Sequence, residues 1–328
     1  MRAHLYHQYG PPTVLKLEDS PKPIPAPNEI LIKIHAASVN PYDWHFLRGE
    51  PYLLRLMAGL RHPKDPRLGA DLAGEVQSVG ASVTHFKPGD AVFGVGKGAF
   101  AEFACAQESQ LAPKPANISF EQAAAVPIAG LTALQALRKA GLRQPNVAAA
   151  SQSKVLINGA SGGVGTFSVQ IAKAFGAHVT AVCSARNVEM VRALGVDRVI
   201  DYTREDFTKT DQHYDIILDN VGNRSLLACR RLLVPKGIYI AAGGSAGRWM
   251  VGTIARTITS LALSAFGSRK LLGILAKPTT DDLTILHNLM QSGKVTPVID
   301  CRYAFAELPQ AIAYLEEGHA RGKVIVHQ

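Results

Sequence analysis

Residues 158–165 read Asn-Gly-Ala-Ser-Gly-Gly-Val-Gly and follow an apolar run, VLI, with the composition of a buried strand. Counted from Ala160, the pattern is A-x-G-x-x-G, with Gly162 and Gly165 at the fixed positions. Between a strand and a helix, such glycines let the backbone approach a pyrophosphate, whose charge then rests on the N–H groups of the helix start. The helix expected over 164–175 and the second strand, HVTAVCS, supply the context that this fingerprint requires. The same letters also spell G-x-S-x-G, a nucleophile elbow with Ser161 at its centre. Asp219 or Asp300 and His287 or His319 would complete the order Ser, Asp, His. An elbow needs neither Gly165 nor a phosphate-binding set on the next strand, so a serine hydrolase is the lesser reading.

That next strand ends at Cys183-Ser184-Ala185-Arg186-Asn187. A site for NAD would place a carboxylate here, about 20 residues past the glycines, to hold the ribose 2′-hydroxyl. Ser184 stands at that position with Arg186 two residues on, and a hydroxyl beside a guanidinium suits a 2′-phosphate. The pattern favours NADP, although a helix-capping serine beside a solvated arginine reads the same way. Short-chain carbonyl reduction requires Tyr-x-x-x-Lys, and none of the nine tyrosines has a lysine four residues later.

The elements that must position these residues follow from periodicity. The first third is β-rich: residues 29–37 alternate apolar and polar, 71–80 and 90–95 form short strands, and PKPIPAP is a stiff connector. An all-β front domain fits. Ser119 and Gln122 make a capping box before a helical stretch broken at Pro127. From Lys154 strands and helices alternate, which specifies a parallel sheet covered on both faces, a doubly wound α/β domain. A helix from DDLTILHNLMQSG leads into VTPVID, and AFAELPQAIAYLEEGHARGKVIVHQ supplies a further helix and a last short strand, a return to the front domain. The expected boundaries are 1–125 for a β-rich catalytic domain, 126–277 for a Rossmann domain and 278–328 for the return.

Composition excludes several classes. In 328 residues, 47% hydrophobic and 19% charged content argues against disorder, and a net charge of +9 favours anionic ligands without a Lys/Arg block of nucleic-acid type. Four scattered cysteines with no CxxC exclude a Cys-rich zinc lobe. The longest uncharged run, 155–172, carries four glycines, so no transmembrane segment is expected, and a cytoplasmic protein is the default.

Taken together, AASVNPYDWHFLRG (36–49), GADLAGEVQSVG (69–80), GLTALQAL (130–137), NGASGGVG (158–165), DNVG (219–222) and GHARGKVIV (318–326) resemble the medium-chain dehydrogenase/reductase superfamily, specifically its zinc-independent quinone oxidoreductase branch. The resemblance implies a GroES-like catalytic domain beside the Rossmann domain, and NADPH as cofactor. It assigns Ser161, Gly163, Val164 and Gly165 to the pyrophosphate turn and Ser184, Arg186 and Tyr202 to the 2′-phosphate pocket. Asn220, Ala242 and Gly243 would run along the ribose and nicotinamide, with Thr132 and Asn40 on the nicotinamide side. His319, Ala320 and Arg321 would form a C-terminal clamp, though Arg321 and Lys323 read equally as solvated charges. Zinc-dependent members carry Cys in the first segment and Gly-His-Glu in the second, where this chain has Asn40-Pro41-Tyr42-Asp43 and Gly69-Ala70-Asp71. No zinc is therefore expected, and without a Lewis acid the chemistry points to quinones or α,β-unsaturated carbonyls, which spread incoming charge over their own π-system. Tyr42 and Tyr52 are candidate proton donors or substrate walls, and Asp43 holds the loop. Residues 50–67 form an apolar, basic insertion placed to roof the site. Val251, Ile254, Ile258, Leu261 and Ala265, within 248–270, form an apolar stripe for its own domain, a second subunit or a membrane carrying lipid quinones. A homodimer is the expected assembly. The alternative to an enzyme is a non-catalytic NADPH-binding structural or sensor protein.

Overall fold

Unbroken apolar runs make strands buried on both faces, and the chain uses them in the middle of its second half. Val155, Leu156 and Ile157 of β8 (Lys154–Asn158) and Ile217 and Leu218 of β11 (Tyr214–Asp219) are wholly buried. These two strands pair in parallel at the centre of a six-stranded sheet. On one side lie β9 (His178–Cys183) and β10 (Arg198–Asp201), and on the other β12 (Leu233–Ala241) and β13 (Lys270–Gly273). Counting β8 as the first strand, the order is 3-2-1-4-5-6, the doubly wound topology expected from the alternation. Helices α5 (Gly163–Ala174), α6 (Val188–Ala193) and α7 (Leu226–Arg231) connect the strands, and β13 is an element that the sequence pattern did not reveal.

The computed structural model describes residues 1–144, 153–243, 259–260, 263–264 and 268–328. Val251, Ile254, Ile258, Leu261 and Ala265 of the expected stripe lie outside the described residues. The chain divides into two units, one of Met1–Leu131 with Lys277–Gln328 and one of Thr132–Ala276.

In the first unit a seven-stranded sheet is built on β3 (Glu29–Val39), β4 (Asp71–Val79), β5 (Ala91–Val95), β6 (Phe103–Gln107) and β7 (Leu111–Pro113). The C-terminal segment adds β14 (Ile299–Ala304) and β15 (Lys323–His327), and β15 pairs antiparallel with β3, bringing Val324 opposite Val39. Two short helices interrupt the front segment, α1 (Pro41–Arg48) and α2 (Leu54–Ala58), so it is not all-β as expected. Pro41 at the first helical position and Asp43 bonding back to the Asn40 N–H start α1 with ordinary helix chemistry. Ser119 and Gln122 form the capping box read from sequence, and the break at Pro127 separates α3 (Phe120–Ala124) from α4 (Pro127–Lys139). Helices α8 (Thr280–Gln291) and α9 (Leu308–Glu316) complete the unit.

Helix α5 is buried almost all round, and its polar side chains bond back to their own turns: Ser168 Oγ donates to Val164 O at 2.7 Å and Gln170 Nε2 to Thr166 O at 3.1 Å. Its first turn presses on the preceding loop. A Cβ at Gly165 would stand 2.1 Å from Gly159 O and 2.7 Å from Ala160 Cα. Backbone cannot yield as a flexible side chain does. Gly165→Ala is therefore expected to destabilise the protein by about 1–3 kcal/mol, read as a lower denaturation midpoint with an unchanged slope.

Candidate active site

In the second unit the strand order reverses between β8 and β11, and open α/β sheets bind ligands in the crevice beyond the carboxyl ends of the strands at such a switch point. Asp219 fixes it. Its Oδ1 accepts from Asn158 Nδ2 at 2.9 Å and from the N–H groups of Val221 and Gly222 at 3.0 and 2.8 Å. Its Oδ2 accepts from the Tyr239 hydroxyl at 2.7 Å. A buried carboxylate so engaged is a structural node, not the acid of a triad. It sets the turn in which Asn220 N and Nδ2 both donate to Asn158 O at 3.1 Å. Asn220 Oδ1 is left buried with no partner among the described residues. Gly243 lies against the same turn, for a Cβ there would meet Asn220 O at 2.3 Å, and Ala242 N–H donates to Asp219 O at 2.9 Å. Asn220, Ala242 and Gly243 thus come together.

Across the crevice, Gly159 adopts φ +76° and α5 starts at Gly163 with no side chain capping it. Such a helix start presents uncapped N–H groups to an anion. A Cβ at Gly162 would meet only Gly159 O at 3.8 Å, an ordinary contact, while one at Gly165 would clash with backbone. Ser161 and Ser184 are bridged by Asn187, whose Nδ2 donates to both hydroxyls at 3.0 and 3.2 Å. Asn187 Oδ1, like that of Asn220, is buried without a partner. Sequence reasoning missed Asn187, although its place three residues past the strand-end serine was visible. Among the described residues Ser161 bonds to this amide and to no histidine, so the elbow lacks its base. Arg186 is exposed. Tyr202 is exposed at the end of β10, its N–H bonded to Cys183 O at 3.0 Å. A carboxylate does stand one strand over: Asp201 accepts from Thr203 N and Oγ1 at 3.0 and 2.7 Å, bonds that hold its pKa low. Orphaned amide oxygens, an uncapped helix start and glycines that backbone contact requires fit a bound dinucleotide.

In the first unit Asn40 precedes α1, Asp71 begins β4 and Lys323 begins β15, all buried. Asp71 Oδ2 accepts from Ser38 Oγ at 2.7 Å, Asn40 Nδ2 at 2.8 Å and Lys323 Nζ at 3.3 Å, and Oδ1 accepts from Ile128 N–H at 2.9 Å. Lys323 Nζ donates further to Asn40 Oδ1 at 2.6 Å. The reading of Lys323 as a solvated charge is therefore corrected: only 4% of it is exposed, because the strand it opens runs through the sheet interior. Asn40 also donates Nδ2 to Ser38 O at 3.3 Å, so both amide hydrogens are used within the protein. Asp43, wholly buried, joins two loops by accepting from Asn40 N–H at 2.8 Å and Gly69 N–H at 3.1 Å, and burial pushes its pKa up to about 7.

Beside this cluster a cavity of about 240 Å³ is lined by Tyr42, Phe46, Met57, Lys64 and Lys97 together with the Gly69–Ala70 backbone. Desolvation raises the pKa of the Tyr42 hydroxyl, with Asp43 and Asp65 adding to it, so the group stays protonated at neutral pH. Tyr52 and Asn40 do not line the cavity. Tyr52 packs on Arg55 instead. Thr132 is buried within α4. His319, Ala320 and Arg321 lie in the first unit between α9 and β15, with His319 and Arg321 exposed and Arg321 N–H donating to Asp300 Oδ2 at 2.9 Å. The chemistry of the donor set does not fit zinc: at the two segments stand an amide, a methyl group and a carboxylate already shared by four donors, one of them an ammonium.

Two outcomes follow from this cluster. Lys323→Met leaves Asp71 buried and uncompensated and is expected to cost about 3–5 kcal/mol. The pair Lys323→Met/Asp71→Asn removes both charges and should recover part of that loss in chemical denaturation. Because folding raises the Asp43 pKa above its unfolded value, the native state binds the extra proton. Stability should fall as pH rises from about 4 to about 7, and Asp43→Asn should flatten that slope.

Comparison with known proteins accords with this geometry. Residues 26–116 match the alcohol dehydrogenase GroES-like domain and residues 194–326 the zinc-binding dehydrogenase family, whose name the donor set above does not follow. The chloroplast envelope quinone oxidoreductase homolog of Arabidopsis thaliana is 36% identical, over 99% of this chain and 98% of its own. The mitochondrial NAD(P)H oxidoreductase RTN4IP1 of Homo sapiens is 35% identical, over 100% of this chain and 89% of its own. Among solved structures, the quinone oxidoreductase from Coxiella burnetii superposes with a TM-score of 0.85 at 33% identity, covering 100% of this chain and 99% of that one. A mycobacterial protein complexed with NADPH superposes with a TM-score of 0.80 at 25% identity, covering both chains fully. Matched along its whole length by proteins of this kind, the chain belongs to the medium-chain dehydrogenase/reductase superfamily and is an oxidoreductase.

Proposed function

We propose that this protein is an NADPH-dependent, zinc-independent reductase of quinones or α,β-unsaturated carbonyls. The observation that carries the reading is the saturation of Asp71 by Lys323, Asn40, Ser38 and the Ile128 N–H. The buried charge that could help hold a metal is balanced by an ammonium, so the acceptor must stabilise its own developing negative charge. Quinones and enones do this by conjugation. NADPH, when bound, supplies the hydride. Gly162–Gly165 and the start of α5 receive the pyrophosphate, and Ser161 and Ser184, aligned by Asn187, line the adenosine side. Arg186 and Tyr202 flank the 2′-phosphate, and Asn220 with Ala242 and Gly243 follows the ribose toward the nicotinamide. Thr132, His319, Ala320 and Arg321 complete the cofactor contacts.

The acceptor's proton comes from the Tyr42 hydroxyl or from water, and Tyr42 is favoured over Tyr52 because it lines the cavity in protonated form. Asn40 serves by holding the loop rather than by donating to a ligand, since its amide hydrogens are taken. A cytoplasmic location and a homodimer belong to the same reading. Four free thiols fit a reducing compartment, while the Arabidopsis and human relatives named above are chloroplast and mitochondrial proteins.

The test is NADPH oxidation, followed by absorbance, with a quinone or an alkenal and a chelator present. Turnover unaffected by chelator and much slower with NADH is expected, and equal rates with NADH or loss under chelation would overturn the assignment. Binding without turnover on any acceptor would favour the sensor alternative. Arg186→Ala should raise KM for NADPH about tenfold and leave KM for NADH unchanged, which separates 2′-phosphate recognition from general damage.

A further inference from the structure

Four of the ten most exposed large hydrophobic side chains among the described residues fall within one short stretch. Leu53, Leu56, Met57 and Leu60 are 52%, 63%, 78% and 67% exposed. Leu53, Leu56 and Met57 stand at i, i+3 and i+4 around the turn of α2 and form one apolar stripe, and Leu60 follows just past Gly59, where the helix ends at φ +124°. Packing does not require this. The platform beneath is already fixed: Arg55 donates to Gly49 O and Arg48 O at 3.0 and 3.2 Å and stacks on Tyr9, whose hydroxyl donates to Gly59 O at 2.6 Å.

Charge around the stripe is one-sided. Residues 51–64 contain Arg55, Arg61, His62 and Lys64, with Arg61, His62 and Lys64 exposed, and the acids lie only at the ends of the stretch, Glu50 before it and Asp65 after it, the latter already paired with Arg67 and Lys97. A second copy of this chain, meeting the same face about a two-fold axis, would set these cations against each other with no carboxylate between them. An anionic lipid surface answers both features, taking the apolar side chains into the acyl boundary and the cations among its headgroups. No helix among the described residues is long and apolar enough to cross a membrane, so the attachment would be superficial. Met57, Ala58 and Lys64 also line the cavity that holds Tyr42, so the stripe and the cavity share a border.

We propose that residues 53–64 form a docking surface for an anionic bilayer, placing the cavity mouth where an apolar acceptor dissolved in that bilayer can reach it.

The experiment is co-sedimentation of the full chain with vesicles of phosphatidylcholine alone or mixed with phosphatidylglycerol. Each exposed Lys or Arg near an anionic surface strengthens attachment about fivefold, so binding to the mixed vesicles should exceed binding to the neutral ones at least about tenfold and fall as salt is added. Leu56→Glu/Leu60→Glu, neither residue lining the cavity, should lose that binding about tenfold or more and keep its turnover of a water-soluble acceptor without vesicles. Equal sedimentation with both vesicle types, binding undiminished in the double variant, or conversion of a dimer to a monomer by that variant would each overturn the proposal. Turnover of the soluble acceptor is read separately, so failure of the docking surface is distinguishable from failure of the reductase assignment.

Discussion

The first unit depends on one buried ion pair. Lys323 and Asp71 are 252 residues apart in sequence, yet their charges meet in the interior at 3.3 Å. Neither charge could be there alone, since an isolated ammonium or carboxylate in such surroundings is prohibitively costly. The pairing therefore acts as a condition on topology: β15 must enter the sheet beside β3 for Asp71 to be tolerated at the start of β4. Asn40 is held in the same network by its amide, and with it the start of α1 and the placement of Tyr42 two residues on.

Asp219 plays the matching part in the second unit, with a different balance. Its charge is shared with two backbone N–H groups, one amide and one phenol. Such a carboxylate organises a turn, and that turn leaves Asn220 Oδ1 buried with no partner among the described residues. Both units thus use a buried acid to build a loop, and both loops lie beside the residues proposed to meet ligand.

Much of this was legible in the sequence, and the reason differs from element to element. The glycine turn could be read because Gly165 answers to a local steric demand that no other residue meets. The α/β alternation and the capping box at Ser119 were legible because periodicity and cap chemistry are properties of neighbours along the chain. Strand β13 was not, because four residues, Lys270–Gly273, carry too little pattern and owe their conformation to pairing with β12. Helix α1 was hidden within a front segment whose signals were otherwise β. Lys323 was misread for a related reason: in GHARGKVIV it looks like one more charge before a strand, and only the company of Asp71 shows that it faces inward. The signal that could have revealed it is its place directly before the run VIV, in a chain whose GADLAG segment carries an acid among small apolar residues.

The donor set around Asp71 bears directly on the chemistry. A carboxylate buried in a dehydrogenase-like fold must be neutralised, and a metal ion or a lysine can each do so. They have opposite consequences for the reaction. A metal retains open coordination and can polarise an oxygen of the substrate, whereas Lys323 spends its donors on Asn40, Asp71 and the Val39 carbonyl. Neutralising the acid with lysine makes the interior stable but contributes no electrophile to the site. In the proposed function, the burden of stabilising negative charge then passes to the acceptor's own conjugation and to the proton that Tyr42 or water would deliver. An unconjugated ketone or aldehyde would meet no such help, and that is the physical basis for reading this chain as a reductase of conjugated acceptors.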